Sequence, residues 1–457
     1  MRRATTRMTP TDAAWLHMDR PESLMMIVAL LWFDEPVRYD TVLGLISERL
    51  VAVYPRFSRR IREAPLELGP PRWEDDPEFD VTRHVVPATL PAPAGKAELE
   101  AFCGAMMSTP LAPHTPPWQF HVIEGFDGGT VVVARIHHCV ADGISLARVL
   151  LAMADDATPD EHVANADAHT HRFHRPRLSP MAATWRFGET LWHEGIELST
   201  HPRKLASLAR LGTDTAAAAT RLLTLPPDPD TALRGALGVP KRVAWSEPMP
   251  LPRIKATCQQ LGCTVNDVLL AAIAGALRQY LRRRESPVAD VRAFVPINLR
   301  PLDQPVPIEL GNHFSLAILP LPVGGETPVE RLAALRREMD RIKQSQEPAV
   351  AFGILNAIGL TPSRVEQAVL RFFGTKGSAV MTNVPGPRTP VRLGGHTLSG
   401  FLFWVPMSAG VGLGVSIFSY AGQVTIGVAS DAGLIPDPEA IVAAYPEELE
   451  ALEALTC

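Results

Sequence analysis

The sequence predicts a mixed α/β protein made of two comparable halves. Its 457 residues are enough for two or three domains of ordinary size. Hydrophobic residues make up 46% of the chain and charged residues 20%, so a large buried core is expected. Strand-like and helix-like segments alternate along the chain, which is typical of sheets covered by helices.

The first half, residues 1–155, is predicted to contain three strands and three helices. Residues 24–33 form one apolar run, as in a buried strand, whereas residues 41–53 place their apolar side chains on one helical face. The later elements are a helix over residues 98–107, paired strands over 120–123 and 130–136, and a helix over 144–153.

The second half, residues 242–457, follows a long crossover that we predict over residues 156–241. In the crossover, a polar stretch precedes a helix-like segment that contains Trp185 and Trp192. Helical spacing in the second half predicts helices over residues 251–261, 266–281, 328–346 and 361–373. Short apolar runs predict strands over residues 293–297, 313–319, 379–382, 401–405, 412–419 and 423–429.

The most informative motif is His137-His138-Cys139-Val140-Ala141-Asp142-Gly143, an HHxxxDG pattern that follows the strand predicted over residues 130–136. A neutral histidine can accept a proton from a hydroxyl near pH 7, and an aspartate can fix the ring or its loop. Glycine permits a tight turn or the close approach of a substrate. Two histidines at a strand end are usually packing or capping residues, but the aspartate and glycine at this spacing favour a general-base site.

Charge and cysteine content exclude several classes of protein. The net charge of −5 gives no indication of nucleic-acid binding. The five cysteines are scattered, odd in number and without a CxxC pair, so we expect a reducing, cytoplasmic compartment and no disulfides. No metal site is expected, because His169, His171 and His174 lack cysteine partners.

No membrane-spanning helix is predicted. The uncharged stretch over residues 397–427 is long enough, but Pro406 and several glycines interrupt it. Arg2 and Arg3 are not followed by an apolar segment, so we expect no signal peptide. A peripheral membrane contact through the tryptophans of the crossover stays open, although packing onto the neighbouring domains is favoured.

Several segments together carry a resemblance to a known family. In chain order they are Met8-Thr9-Pro10-Thr11-Asp12-Ala13-Ala14-Trp15, Met25-Met26, Pro116-Pro117-Trp118, the HHxxxDG motif, Thr264-Val265-Asn266-Asp267-Val268-Leu269, Val295-Pro296-Ile297-Asn298-Leu299-Arg300, Leu310-Gly311-Asn312, Thr382-Asn383-Val384-Pro385-Gly386-Pro387 and Ser419-Tyr420-Ala421-Gly422. This set resembles the bacterial wax ester synthase/acyl-CoA:diacylglycerol acyltransferase family, one of the HHxxxDG acyltransferases related to chloramphenicol acetyltransferase and peptide-synthetase condensation domains. Pro117 and Gly414 depart from the family pattern, where a leucine and a polar residue are expected.

The resemblance implies two chloramphenicol-acetyltransferase-like domains with an active-site tunnel at their interface. It also implies an O-acyltransferase that moves a long-chain fatty acyl group from acyl-CoA to diacylglycerol or to a long-chain alcohol, with no bound cofactor. His138 matches the general base of the family, and no covalent acyl-enzyme is needed. The lipid substrates imply peripheral association with the inner face of the cell membrane or with lipid droplets.

The other residues of the motif are expected to support His138. His137 and Gly143 would shape the loop, and Asp142 would organise it. Arg135 or Arg300 is the expected ionic partner of Asp142, and the sequence does not choose between them.

Two residues of the second half are further candidates. Asn266 would donate a hydrogen bond to the oxyanion of the tetrahedral intermediate, or would only cap a helix. Asp267 is expected to brace the domain interface.

Three other functions are compatible with parts of the sequence. Residues 143–147 nearly match the GxSxG motif of serine hydrolases, but Ser145 falls inside a predicted helix rather than on the sharp turn that such a serine requires. A condensation-type or polyketide-associated acyltransferase would keep the motif and use a different acceptor. A non-catalytic lipid-binding protein would keep the fold, but the intact motif argues against it.

Overall fold

Two large β-sheets organise the part of the chain that this computed structural model describes, which is residues 5–63, 69–155, 213–299, 306–361, 363–407 and 410–456. A five-stranded sheet is built mainly from the first half, and a seven-stranded sheet from the second. Two smaller sheets, of three and two strands, accompany them. Helices cover both large sheets, so the chain has the mixed α/β character that the sequence predicts.

The described residues of the first half form eleven regular elements. In chain order these are β1 (Thr5–Arg7), α1 (Pro10–His17), β2 (Met26–Phe33), α2 (Tyr39–Leu45), β3 (Arg59–Arg62), β4 (Arg72–Asp75), β5 (Val85–Ala88), α3 (Lys96–Ser108), β6 (Trp118–Phe126), β7 (Gly129–His137) and α4 (Gly143–Ala152). The α-helix α2 ends earlier than the helix predicted over residues 41–53, because it passes into a wider helical turn over Ile46–Val51.

The remaining described residues continue the chain from residue 213. They form α5 (Thr213–Thr224), β8 (Lys241–Trp245), β9 (Met249–Pro250), α6 (Leu251–Leu261), α7 (Val265–Arg283), β10 (Val291–Asn298), β11 (Phe314–Leu321), α8 (Pro328–Gln344), α9 (Glu347–Ile358), α10 (Ser363–Gly374), β12 (Ala379–Pro385), β13 (Arg392–Leu393), β14 (His396–Thr397), β15 (Gly400–Trp404), β16 (Leu413–Tyr420), β17 (Gln423–Asp431) and α11 (Glu439–Glu453). The prediction omits α9, whose apolar side chains surround the helix instead of forming one stripe.

The first sheet has the strand order β15-β2-β7-β6-β5. Strand β2 pairs antiparallel with β7, from Met26 opposite His137 to Phe33 opposite Thr130. Both strands are buried along nearly their whole length, which explains why β2 is one unbroken apolar run in the sequence. The pairing places the end of β7, and with it the start of the HHxxxDG motif, beside the start of β2.

Strand β15 belongs to the second half of the chain but pairs with β2 of the first sheet. The two halves are therefore linked by strand exchange as well as by side-chain packing. Most of the predicted crossover, with Trp185, Trp192 and its three histidines, lies outside the described residues. The domain boundaries at residues 155 and 242 stay a prediction.

The second sheet has the order β11-β10-β12-β16-β17-β8, with β9 paired to β17. It carries α7, a helix that is buried along most of its length, as the apolar run predicted. Thr264 and Asp267 begin this helix with a reciprocal capping box, in which each side chain accepts from the other's backbone N–H.

Neighbouring residues of β12 and β16 point to opposite faces of the second sheet. Met381 and Ile417 lie in the core beneath α7, whereas Val380 and Phe418 lie in the core shared with the first sheet. Even-numbered residues of these two strands therefore face the seam between the sheets.

Among the described helices, none is by itself both long and apolar enough to cross a membrane. Helices α6 and α7 pass the same test only as a pair, and they are bent by 99° relative to each other.

Candidate active site

The HHxxxDG motif joins the last residue of β7 to the first turn of α4. The His138 N–H donates to the Met25 carbonyl at 2.7 Å, which holds the loop to the residue before β2. Asp142 is the N-cap of α4, where its Oδ1 accepts from the Ser145 N–H at 2.7 Å. Ser145 therefore lies in the first turn of a helix and not on a sharp turn, as the sequence predicts.

Asn312 fixes the tautomer of His138. The Nδ2 of Asn312 lies 2.8 Å from the Asp12 carboxylate and 2.8 Å from the His138 carbonyl, two groups that only accept. The Oδ1 of the same amide must then face Nδ1 of His138, at 2.9 Å, and accept a hydrogen bond from its N–H. Since Nδ1 carries the proton in the neutral ring, Nε2 keeps its lone pair free for a substrate.

A buried ion pair holds Asn312 in turn. Asp12 has no exposed side-chain surface, and its Oδ2 accepts from Arg56 at 2.9 Å. Its Oδ1 also accepts from the Asn312 backbone N–H at 2.9 Å. Arg56 donates further to the carbonyls of Cys139 and Val140, at 3.1 and 2.8 Å. A chain of hydrogen bonds therefore connects Arg56, through Asp12 and Asn312, to His138.

Aromatic rings and burial set the charge state of His138. The Trp15 ring stacks on the imidazole at a centroid distance of 4.0 Å, and Phe314 lies at 5.5 Å. Burial lowers the pKa of His138 to about 3, against the smaller raising effect of its hydrogen bonds. The ring is therefore neutral at physiological pH, which is the state that a general base needs.

Asp142 organises the loop through backbone groups. Its Oδ2 accepts from the His313 N–H at 3.1 Å, which ties the motif to the segment that carries Asn312. The predicted ionic partner Arg135 instead donates to Gln119 at 3.2 Å and to the Thr109 carbonyl. This part of the prediction is wrong for Arg135, because that guanidinium lies on β7 and faces β6. Arg300 lies outside the described residues.

His137 is held by polar contacts within the loop, and Gly143 has room for a small side chain. His137 Nδ1 accepts from the Cys139 N–H at 3.1 Å, and its Nε2 lies 3.7 Å from Asp19 Oδ1. A methyl group built on Gly143 would lie 3.5 Å from the Phe403 ring, in ordinary contact.

A small apolar cavity of about 10 Å³, with room for about one water molecule, lies beside Gly143. It lies between α4 and the strands β2, β7 and β15 of the first sheet. Its walls include Ile27, Ile136, Leu146, Ala147, Phe401 and Phe403.

The structure does not bring Asn266 into hydrogen-bond contact with His138. Its Oδ1 instead accepts from the Asn383 amide of β12. Asp267 is buried and caps α7, and its Oδ1 has no hydrogen-bond partner in the described ranges. Both residues stay candidates for the roles predicted from the sequence.

Sequence reasoning assigned no role to Asp12, Trp15, Arg56 or Asn312. Asp12 and Trp15 stand in the first quoted segment, and Asn312 closes the Leu310-Gly311-Asn312 segment. The contact between Asn312 and His138 spans 174 residues of chain, which no local pattern reveals. For Asp12, Trp15 and Asn312, their position in segments shared with a known family was the available signal; Arg56 stands in no such segment.

Two family models match the chain. The one described as the wax ester synthase/diacylglycerol acyltransferase catalytic domain matches residues 8–269, and the corresponding C-terminal domain matches residues 310–453. A relative from Mycobacterium tuberculosis, named "Probable diacyglycerol O-acyltransferase tgs1", is 28% identical, over 98% of this chain and 96% of its own.

Two solved structures share the fold. The wax ester synthase/diacylglycerol acyltransferase from Marinobacter aquaeolei VT8 superposes with a TM-score of 0.69 at 24% identity, covering 99% of this chain and 100% of that chain. The first condensation domain of the calcium-dependent antibiotic synthetase gives 0.60 at 17% identity, covering 99% and 96%. The predicted mixed α/β fold and its likeness to condensation domains are confirmed, whereas the active-site tunnel at the domain interface stays a prediction.

Proposed function

Because this chain belongs to the wax ester synthase/diacylglycerol acyltransferase family, we propose that it transfers a long-chain acyl group from acyl-CoA to a lipid hydroxyl with His138 as the general base. The observation that carries the proposal is the fixed tautomer of a buried, neutral His138, whose Nε2 is left free.

The proposed reaction needs one proton acceptor that also returns the proton. The acceptor hydroxyl gives its proton to Nε2 of His138 while its oxygen attacks the thioester carbonyl carbon. The tetrahedral intermediate then collapses, the C–S bond breaks, and the imidazolium protonates the departing CoA thiolate. The ring ends neutral, and an ester and free CoA are the products. General-base help of this kind is worth about 10²–10⁴-fold in rate.

The surroundings of His138 suit this proton transfer. The imidazolium is unfavourable in an apolar site, so it forms only while the negative oxygen of the intermediate is close by. Water, which would hydrolyse the thioester, is excluded by the same burial. Asn266 stays our candidate donor to that oxygen.

The apolar walls of the cavity beside Gly143 suit an acyl chain, but its volume of about 10 Å³ has room for only about one water molecule, so the chain would enter only if the cavity widened. Gly143 of the motif lines it, together with side chains that are almost all apolar. Acyl-CoA is the proposed co-substrate, and diacylglycerol or a long-chain alcohol the proposed acceptor. Since these acceptors reside in lipid phases, we also propose peripheral contact with a membrane or lipid droplet.

The test is release of free CoA thiol from palmitoyl-CoA with hexadecanol, with diacylglycerol, or with neither. Wild type, His138→Ala and the surface control His114→Asn are compared. We expect acceptor-dependent release in wild type and control, and a loss of about 10²–10⁴-fold in His138→Ala.

Three other outcomes would contradict the proposed function. Release that does not require an acceptor would indicate a thioesterase. Full activity of His138→Ala would exclude the proposed base. Lipid binding without any release would favour a binding protein that keeps the fold.

A further inference from the structure

Three buried polar side chains lack a hydrogen-bond partner among the described residues and lie in the seam between the two sheets. They are Thr382 of β12, Ser416 of β16 and Trp404 of β15, and only 6%, 1% and 0% of their surfaces are exposed. Buried polar groups are normally paired in folded proteins, so three that are not paired in one place call for an explanation. We refer to them as the hydroxyl–indole cluster.

Strand register brings the cluster together. Thr382 lies directly opposite Ser416 on the parallel pair β12 and β16, whose backbones run about 5 Å apart, so both side chains point to the same face. On the other side, Ser416 lies opposite Gly427 of β17. A methyl group built on Gly427 would lie 2.7 Å from Trp404 Nε1, so the indole N–H rests over the backbone beside Ser416.

The cluster borders the proposed acyl-transfer site. Two residues beyond Ser416, the Phe418 ring packs on Phe401 at 4.8 Å, and Phe401 lines the apolar cavity. Two residues before it, Gly414 faces Val405, which also lies against Gly143 of the motif. The cluster is therefore placed between a wall of the cavity and the HHxxxDG loop.

The chemistry of the cluster limits what it can bind. An indole N–H only donates, a hydroxyl can donate, and none of the three groups carries a charge. The matching group is an uncharged acceptor, such as a carbonyl oxygen. A fatty alcohol has no such group apart from its reacting hydroxyl, whereas diacylglycerol has two ester carbonyls.

We propose that Thr382, Ser416 and Trp404 bind an ester carbonyl of the diacylglycerol acceptor and so favour diacylglycerol over a fatty alcohol. The inference rests on the proposed acyl transfer to a lipid hydroxyl and names the acceptor class that the site selects. The amide carbonyls of the pantetheine arm of acyl-CoA have the same chemistry, and the experiment separates the two sources.

The kinetic experiment uses Thr382→Val and Ser416→Ala, which remove a hydroxyl with little change of volume. The matched control is Ser419→Ala, which removes a hydroxyl from the same strand on the opposite face. Michaelis constants are measured for dioleoylglycerol, hexadecanol and palmitoyl-CoA in mixed micelles. We expect KM for dioleoylglycerol to rise on the order of tenfold in each variant, with the other two constants and the control unchanged.

The contrary results are equally specific. A rise in KM for palmitoyl-CoA alone would assign the carbonyl to the acyl donor and overturn the inference. An equal rise for both acceptors would show that the hydroxyls only shape the seam, for example by holding a structural water.

A binding measurement keeps the inference testable without turnover. Titration calorimetry of dioctanoylglycerol into wild type and Ser416→Ala should show weaker binding by the variant, on the order of tenfold. Equal binding, or no binding by wild type, would overturn the inference whether or not the protein transfers acyl groups. Absence of CoA release together with retained, Ser416-dependent binding would instead contradict only the proposed function.

Discussion

The Asp12–Asn312 pair beside His138 and the hydroxyl–indole cluster are both buried, but they differ in whether their side-chain polar atoms have hydrogen-bond partners. Beside His138, every side-chain oxygen and nitrogen of Asn312 and Asp12 has a partner, although Trp15 Nε1 and Arg56 Nε nearby have none among the described residues. In the cluster, the three polar atoms have none among the described residues. The fully paired side chains of Asp12 and Asn312 hold the His138 ring in one tautomer, whereas the unpaired donors of the cluster are available to a ligand.

The largest expected effect is on stability, and it comes from removing the negative charge of Asp12. Asp12→Asn leaves Arg56 buried without its carboxylate, so we expect a loss of about 3–5 kcal/mol in the free energy of unfolding. Asp75→Asn, which removes the mostly exposed partner of Arg59, should cost less than about 1 kcal/mol. Urea unfolding measures both, and equal losses in the two variants would contradict the role given to Asp12.

The second largest effect is expected on the catalytic rate, because Asn312 sets the tautomer of His138. Asn312→Ala removes the acceptor that keeps the proton on Nδ1 of His138, so kcat should fall by about 10²–10⁴-fold while KM for palmitoyl-CoA changes little. Asn356→Ala, an amide on α9 that contacts Thr11, serves as the control. Steady-state CoA release checks this, and an unchanged kcat in Asn312→Ala would remove Asn312 from the mechanism.

The pH profile tests the charge state of His138. Its pKa is lowered by burial to about 3 in the folded protein, against 6.5 normally, so the ring is already neutral well below pH 6.5. The kcat/KM for hexadecanol should therefore show no break near pH 6.5 between pH 5 and 8. The same shift lowers stability as the pH falls from 6.5 toward 3, because only the unfolded state then takes up the proton. A break near pH 6.5 would mean that His138 is exposed to water.

The smallest expected effect is on stability, in a comparison of the hydrogen-bonded hydroxyl of Thr130 with the unpaired hydroxyl of Thr382. Thr130 Oγ1 exchanges two hydrogen bonds of 3.0 Å with the backbone of Val37, so Thr130→Val should destabilise the fold by about 1–3 kcal/mol. Thr382→Val should change the free energy of unfolding by less than about 0.5 kcal/mol, or stabilise the protein. Similar losses in urea unfolding would show that Thr382 has a structural partner.

The sequence was sufficient for features that depend on neighbouring residues. The buried strand β2, the capped helix α7 and the placement of Asp142 before α4 follow from apolar periodicity and capping chemistry. His138 could be proposed as the base because its motif is contiguous in the sequence.

What the sequence did not supply depends on contacts between distant residues. Asp12 and Asn312 meet across 300 positions, and nothing near Asp142 indicated that backbone N–H groups, not Arg135, would satisfy its carboxylate. The exchange of β15 into the first sheet, which creates the seam, depends on the same kind of non-local pairing.

The most direct test of the account is the tautomer of His138, read from the ring nitrogen shifts of the protein labelled with ¹⁵N-histidine, with His138→Gln used for assignment. At pH 7 we expect a neutral ring with the proton on Nδ1 and an unprotonated Nε2, and a change of that pattern in Asn312→Ala. A proton on Nε2, or an imidazolium, in the wild-type protein would contradict the proposal that Asp12 and Asn312 prepare His138 as a base.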